Sequence, residues 1–238
     1  MNVPVPRLRA VLFDVGGPLD REETHERLAD ADIRAALATA GRAVDDAAYA
    51  AACARAVRSF ASNAYRAIVW QLCDGEATLA AQVYAEVERR APARAVFEPR
   101  PGIAEVLAWL RGRGLLLGLV ANQPRSVHAR LAAHGLAHFF SHSALSGDTG
   151  LHKPDPRLFL AACAGLAVSP AACVMAGDRI DNDIAPARAL GMRTILLRTG
   201  RHRAQQPRDW TEIPDYEVSD VAGLRHALAT LLDAAPSG

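Results

Sequence analysis

Lysine is almost missing from this chain. Of the 27 basic residues among 238, every one is arginine except Lys153. Arginine serves wherever a surface cation suffices, yet one position keeps a compact, strongly hydrated ammonium, and the two groups are not interchangeable. Lys153 is therefore expected to be there for its chemistry. Clustered charge of one sign is missing too: 26 acids nearly balance the bases, the net charge is +1, and both signs are mixed along the chain. That excludes the basic footprint a nucleic-acid partner needs. Long apolar runs are also absent. The first, Ala10 to Phe13, stops at Asp14, too short for a signal peptide or a membrane span. A cytoplasmic protein with no membrane partner is expected. The four cysteines, Cys53, Cys73, Cys163 and Cys173, include no CxxC pair and no metal-ligand spacing. They are expected to be buried thiols in a reducing compartment.

What is present is apolar side chain, half of all residues, enough for a large core and one or two domains. Arg9 to Phe13, Leu115 to Val120, Ala172 to Ala176 and Arg193 to Leu197 read as strands, with a short strand or turn around His142 to Leu145 and a last short strand at Tyr216 to Val218. Helices are expected at Ile103 to Arg113, Ser126 to His134, Pro156 to Ala164, Asp183 to Leu190 and Val221 to Leu232, several of them stopped by glycine. The tail from Ala234 is expected to fray. Strands alternating with helices indicate a parallel sheet covered on both faces. From about Thr24 to Arg94 the pattern changes to Ala-rich helical periodicity, punctuated by Gly41 and Gly75. The expected fold class is α/β: a Rossmann-like three-layer core from residues 1–20 and 96–238, with an all-helical cap domain, residues 21–95, inserted after the first strand.

Ligands of such sheets sit at the carboxyl ends of the strands, near the switch point in strand order. The polar residues closing the strands are Asp14, Asn122 and Asp178. Each alone could merely make a turn or cap a helix, but together with the lone Lys153 they are expected to converge on one site.

Four segments carry a resemblance. Val11 to Asp20, VLFDVGGPLD, resembles the first motif of the haloacid dehalogenase superfamily of hydrolases, a strand followed by Asp-x-Asp-Gly-Thr-Leu. Leu119-Val120-Ala121-Asn122 is similar to the second, Lys153-Pro154-Asp155-Pro156 to the third, and Gly177 to Asp183, GDRIDND, to the fourth. The set spans nearly the whole chain in the right order, and the helical insert resembles the superfamily's cap. The resemblance implies a hydrolase of a small phosphorylated metabolite that acts through an aspartyl-phosphate. Asp14 would be the nucleophile. Mg²⁺ would take oxygens from Asp14, the Gly16 carbonyl, Asp178 and Asp183. Lys153 would neutralise both Asp14 and the phosphoryl oxygens, and Asn122 with Ala121 would bind phosphate through the backbone. Asp181 reads as a solvated turn residue.

The departures matter as much. Related phosphatases carry a second Asp two residues after the nucleophile, to protonate the leaving oxygen. Here that position is Gly16, and such general acid–base help is typically worth about 10²–10⁴-fold. The second motif's hydroxyl is replaced by Ala121, and the threonine of the first motif by Pro18. Asp20, Glu22, Glu23 and His25 follow the turn, and His25 is the candidate substitute acid or substrate contact. Asn63, Tyr65 and Arg66 form a polar cluster that could meet substrate or join helices. These departures imply weak or specialised activity. Two other functions compete: a catalytically impaired phosphate-binding or regulatory protein, and a metal-independent dehalogenase. The second would leave Asp178 and Asp183 beside Asp14 without a cation to offset them. A phosphonate hydrolase would need a cap lysine, and the cap has none.

Overall fold

The computed structural model describes residues 7–94 and 96–233, so the tail from Ala234 lies outside the described residues. In chain order the regular elements are β1 (Ala10–Phe13), α1 (Glu23–Thr39), α2 (Asp46–Arg58), α3 (Ala64–Leu72), α4 (Ala77–Arg90), α5 (Ile103–Gly112), β2 (Leu116–Ala121) and α6 (Val127–Ala133). They continue with β3 (His142–Leu145), α7 (Ser146–Thr149), α8 (Pro156–Gly165), β4 (Cys173–Gly177), α9 (Ala185–Ala189), β5 (Arg193–Leu197), β6 (Tyr216–Val218) and α10 (Val221–Asp233).

The six strands form one sheet in the order β3-β2-β1-β4-β5-β6, and every pairing is parallel. Helices cover both faces, the arrangement that lets β1 and β4 be apolar throughout and completely buried. The order reverses beside β1, whose two neighbours are β2 and β4. The crevice at that reversal is where a ligand of such a sheet is held. One side of the core packs Leu12, Val120 and Met175 against Leu158 and Phe159 of α8.

The chain divides into two compact units. Of the described residues, the larger unit holds 7–21, 98–199 and 207–233, and with them the sheet. The smaller is Glu22–Phe97 together with Gly200–Gln206. Its core is built by α1 to α4 around Ile33, Leu37, Tyr49, Ile68, Val83 and Val87. Asp45 and Asn63 start α2 and α3 by accepting the N–H groups of Ala48 at 2.7 Å and Arg66 at 2.9 Å. Asn63 also donates to the Tyr84 hydroxyl at 2.9 Å, so in this unit it joins helices. The turn after α2 has no glycine; Phe60 takes the left-handed conformation instead, φ 52°.

Segment 200–206 is bound into the helical unit through Arg201. Its N–H donates to Glu26 at 2.7 Å, its guanidinium donates to Asp30 at 2.6 Å and to Cys53 Sγ at 3.2 Å, and it lies over the Tyr65 ring. The Tyr49 hydroxyl donates to the same Asp30 oxygen at 2.7 Å. All four cysteines are free thiols; Cys73, Cys163 and Cys173 are buried and Cys53 is half-buried. Among the described residues no helix is long and apolar enough to cross a membrane.

Candidate active site

Asp14 is the first residue beyond β1, and its N–H continues the sheet pairing by donating to the Ala176 carbonyl at 2.9 Å. One carboxylate oxygen, Oδ1, accepts the Val15 N–H at 2.7 Å and lies 2.9 Å from the Lys153 ammonium. Both interactions hold Oδ1 and direct Oδ2 elsewhere. Burial pushes the Asp14 carboxyl up to about 6, against the opposing pull of Lys153.

The turn after Asp14 depends on Gly17. Its φ is 76°, and a β-carbon there would stand 2.5 Å from that of Asp178, so both conformation and close approach require glycine. The left-handed backbone falls at Gly17 and not at Gly16. Arg100 fastens the turn by donating to the Gly17 carbonyl and the Thr199 hydroxyl.

The end of β4 departs from the expected geometry. Residues Ile180–Ile184 form a π-helical turn before α9, not the start of an α-helix at Asp183. The Asp183 and Ile184 N–H groups both donate to the Arg179 carbonyl, and this widened turn folds Asp183 back under the strand end. There Asp183 is completely buried. Its Oδ2 accepts the N–H groups of Asp178 at 3.2 Å and Arg179 at 3.0 Å, and its Oδ1 accepts Lys153 at 2.6 Å. Asp181 is not a solvated turn residue: it is 13% exposed and paired with Arg179 at 2.6 Å.

Lys153 arrives from the loop between α7 and α8, with its side chain 2% exposed. Burial alone would lower its pKa, but Asp14 and Asp183 together outweigh that and hold it above its ordinary value. Its main chain is gripped by Asn122, whose Oδ1 accepts the Lys153 N–H at 2.7 Å while Nδ2 donates to the Lys153 carbonyl at 3.1 Å. Ala121 ends β2 fully buried and offers no hydroxyl.

Carboxylate oxygens of Asp14, Asp178 and Asp183 lie within 4.8 Å of one another. Three carboxylates against one ammonium leave the cluster with an excess of two negative charges. All-oxygen donors with that excess fit a hard divalent cation such as Mg²⁺.

A model of the haloacid dehalogenase-like hydrolases matches residues 8–191. The chain belongs to that family. Within it, the chain is 31% identical over 214 residues to the N-acetylmuramic acid 6-phosphate phosphatase of Pseudomonas putida, covering 86% of this chain and 89% of that one. It is 34% identical over 125 residues to the glyceraldehyde 3-phosphate phosphatase of Methanopyrus kandleri, covering 52% of this chain and 54% of the other. The chain spans about half the length of several such curated relatives. The fold matches the crystal structure of a predicted phosphoglycolate phosphatase from Haemophilus somnus with a TM-score of 0.71 at 20% identity, over 94% of this chain and 99% of that one.

In this family member the structure brings together Asp14, Lys153, Asp178 and Asp183, with Gly16 in the turn after Asp14 and Ala121 at the end of β2. Asp20 is used elsewhere, accepting the Glu98 N–H at 2.9 Å. His25 lies in the first turn of α1, in the helical unit, edge-on to Tyr65 at 6.2 Å. Arg100, Arg179 and the Asn122 side chain are the site's supports that sequence reasoning missed. Each acts on a residue distant in sequence or through its side chain, and no local pattern marks them.

Proposed function

We propose that this chain is a Mg²⁺-dependent phosphohydrolase that acts on a small phosphorylated metabolite through an aspartyl-phosphate on Asp14. The observation that carries this reading is the meeting of one lysine and three carboxylates at the switch point of the sheet. Asp14, Asp178, Asp183 and the Gly16 carbonyl would hold the cation. When bound, it supplies the positive charge that offsets repulsion between carboxylate and phosphate.

Asp14 Oδ2 would attack phosphorus in line with the ester oxygen; the P–O ester bond breaks as the acyl-phosphate bond forms. Lys153, fixed by Asp183, would neutralise the phosphoryl oxygens as they approach the carboxylate. Backbone N–H groups at Ala121 and Asn122 would bind the same oxygens. The leaving oxygen must find its proton outside this turn, because Gly16 has no side chain to give one. Water would then hydrolyse the acyl phosphate, releasing phosphate and restoring Asp14. Substrates with good leaving groups, such as acyl and aryl phosphates, are therefore favoured.

The test is phosphate release with Mg²⁺ from acetyl phosphate, p-nitrophenyl phosphate, glyceraldehyde 3-phosphate and amino-sugar 6-phosphates. Release of phosphate from none of them would reject the proposal. Gly16 itself favours a second reading, a phosphate-binding protein without turnover, which would bind beryllofluoride with Mg²⁺ yet release nothing.

A further inference from the structure

We propose that Asn122 is a positioning residue whose side chain sets the place of Lys153. The family resemblance implies a backbone role for Asn122 in holding phosphate, and that role makes no use of its side-chain amide. The structure engages the amide fully. Oδ1 takes the Lys153 N–H and Nδ2 gives to the Lys153 carbonyl, at 2.7 and 3.1 Å, across 31 residues of chain. The pair of bonds copies the two-way pairing of neighbouring strands, so the side chain acts as one more rung beyond the end of β2 and captures the α7–α8 loop. Ala at this position has no such group and Ser has a single oxygen on a shorter arm, whereas the amide carries its acceptor and its donor on two separate atoms, as this fork requires.

The consequence follows from where Lys153 sits. Its ammonium lies between Asp14 and Asp183 at 2.9 and 2.6 Å, and its side chain has almost no exposure. Asp183 is anchored from the β4 turn, Asp14 from β1, and each is fixed by its own backbone bonds. The loop bearing Lys153 is the third part, and Asn122 is the side chain that ties its backbone at Lys153 to the sheet. Asn122 itself is exposed, so its two bonds organise the loop while contributing little to the buried core. Loss of the fork should let the ammonium drift, and an error near 1 Å in such a group can cost on the order of 10²-fold in rate.

The kinetic consequence rests on the phosphohydrolase reading; the structural one does not. The experiment therefore has two arms on the full chain. In the first, hydrogen exchange at the Lys153 amide is followed by NMR in the wild type, Asn122→Ala and Asn122→Asp. The wild-type amide should be protected and roughly tenfold or more faster to exchange in Asn122→Ala, with Val120 in β2 unchanged. In Asn122→Asp a carboxylate oxygen still accepts the N–H, so protection should persist although the bond to the Lys153 carbonyl is gone. In the second arm, kcat for p-nitrophenyl phosphate should fall at least about tenfold in Asn122→Ala with KM changed less than about threefold, and by less in Asn122→Asp. Lys153 exchange that is fast in the wild type, or unaltered in Asn122→Ala, overturns the proposal. So does a large rise in KM in Asn122→Asp with kcat kept, the mark of an added charge beside phosphate. If Asn122→Ala does not fold, Asn122→Ser takes its place, with the same outcomes. Absence of turnover in the wild type would count against the phosphohydrolase reading alone, and the exchange arm would still decide this one.

Discussion

Gly177 leaves the room that Asp183 fills. A β-carbon at Gly177 would overlap the Asp183 side chain, standing 2.5 Å from its Oδ2, the oxygen that accepts the Asp178 and Arg179 N–H groups. The last residue of β4 is thus glycine because a buried carboxylate lies against it, and that carboxylate in turn holds Lys153.

Gly177→Ala should therefore disturb both stability and site. Overpacking of this kind typically costs about 1–3 kcal/mol, and displacement of Asp183 would carry Lys153 with it. Thermal unfolding by circular dichroism should show the loss, accompanied by at least about a tenfold drop in kcat/KM. Gly112, at the end of α5, has nothing within 4 Å of its missing β-carbon. Gly112→Ala should be neutral or stabilising by about 0.5–1 kcal/mol, and equal damage from both changes would refute the packing argument.

Lys153→Arg should not behave as a conservative change. The ammonium has its side chain 2% exposed between two carboxylates, and a planar fork is larger and aims its donors differently. A loss of at least about tenfold in kcat/KM, about 1.4 kcal/mol, is expected. Near-normal kinetics would show that charge alone is needed there.

Arg201→Ala should destabilise the helical unit. Arg201 is 8% exposed and its partner Asp30 is 32% exposed, between the limits of a surface pair and a buried one. A loss of about 1–3 kcal/mol is expected, since Asp30 and Glu26 each lose a partner or its support. Arg58→Ala, at the exposed end of α2, is the control, and the readout is the midpoint of urea unfolding. An unchanged midpoint would mean that segment 200–206 is held by other contacts.

Much of this architecture is legible in the sequence, and the exceptions have physical causes. The apolar run at Arg193–Leu197 and the short segment Tyr216–Val218 are strands as expected, and His142–Leu145, legible only as a strand or a turn, is a strand. The π-helical turn at Ile180–Ile184 is not legible, because Ile-Asp-Asn-Asp-Ile contains no breaker and periodicity cannot separate a widened turn from an ordinary one. Membership of Gly200–Gln206 in the helical unit is equally hidden, since Arg201 meets Asp30 across 171 residues. At the site, the residues that end strands stand out as polar breaks in apolar runs. Their supports do not: Asn122 reaches Lys153 through its side chain, and Arg100 reaches Gly17 across 83 residues. Of the two turn glycines the sequence cannot say which is left-handed, and the structure gives that conformation to Gly17 and not to Gly16.

That difference sharpens a prediction for Gly16→Asp. The substitution keeps the Gly16 carbonyl and meets no left-handed backbone. The new carboxyl would stand two residues after Asp14, where related phosphatases keep their acid. Some of the roughly 10²–10⁴-fold contribution of such a group should return. The gain should be large for an alkyl phosphate, whose leaving alkoxide is basic, and small for an aryl or acyl phosphate. Mg²⁺-dependent kcat/KM on both classes measures it. A well-folded variant with no selective gain on the alkyl ester would show that Gly16 is not what limits the enzyme.

The most direct measurement is release of inorganic phosphate from an acyl or aryl phosphate by the wild type and by Asp14→Asn, each with Mg²⁺ and with chelator. Asp14→Asn keeps the size of the side chain and removes the attacking carboxylate. Release by the wild type with Mg²⁺, and a fall of at least about 10³-fold on removing either the carboxylate or the cation, is the expected result. Release that continues undiminished in chelator, or in Asp14→Asn, would contradict the account.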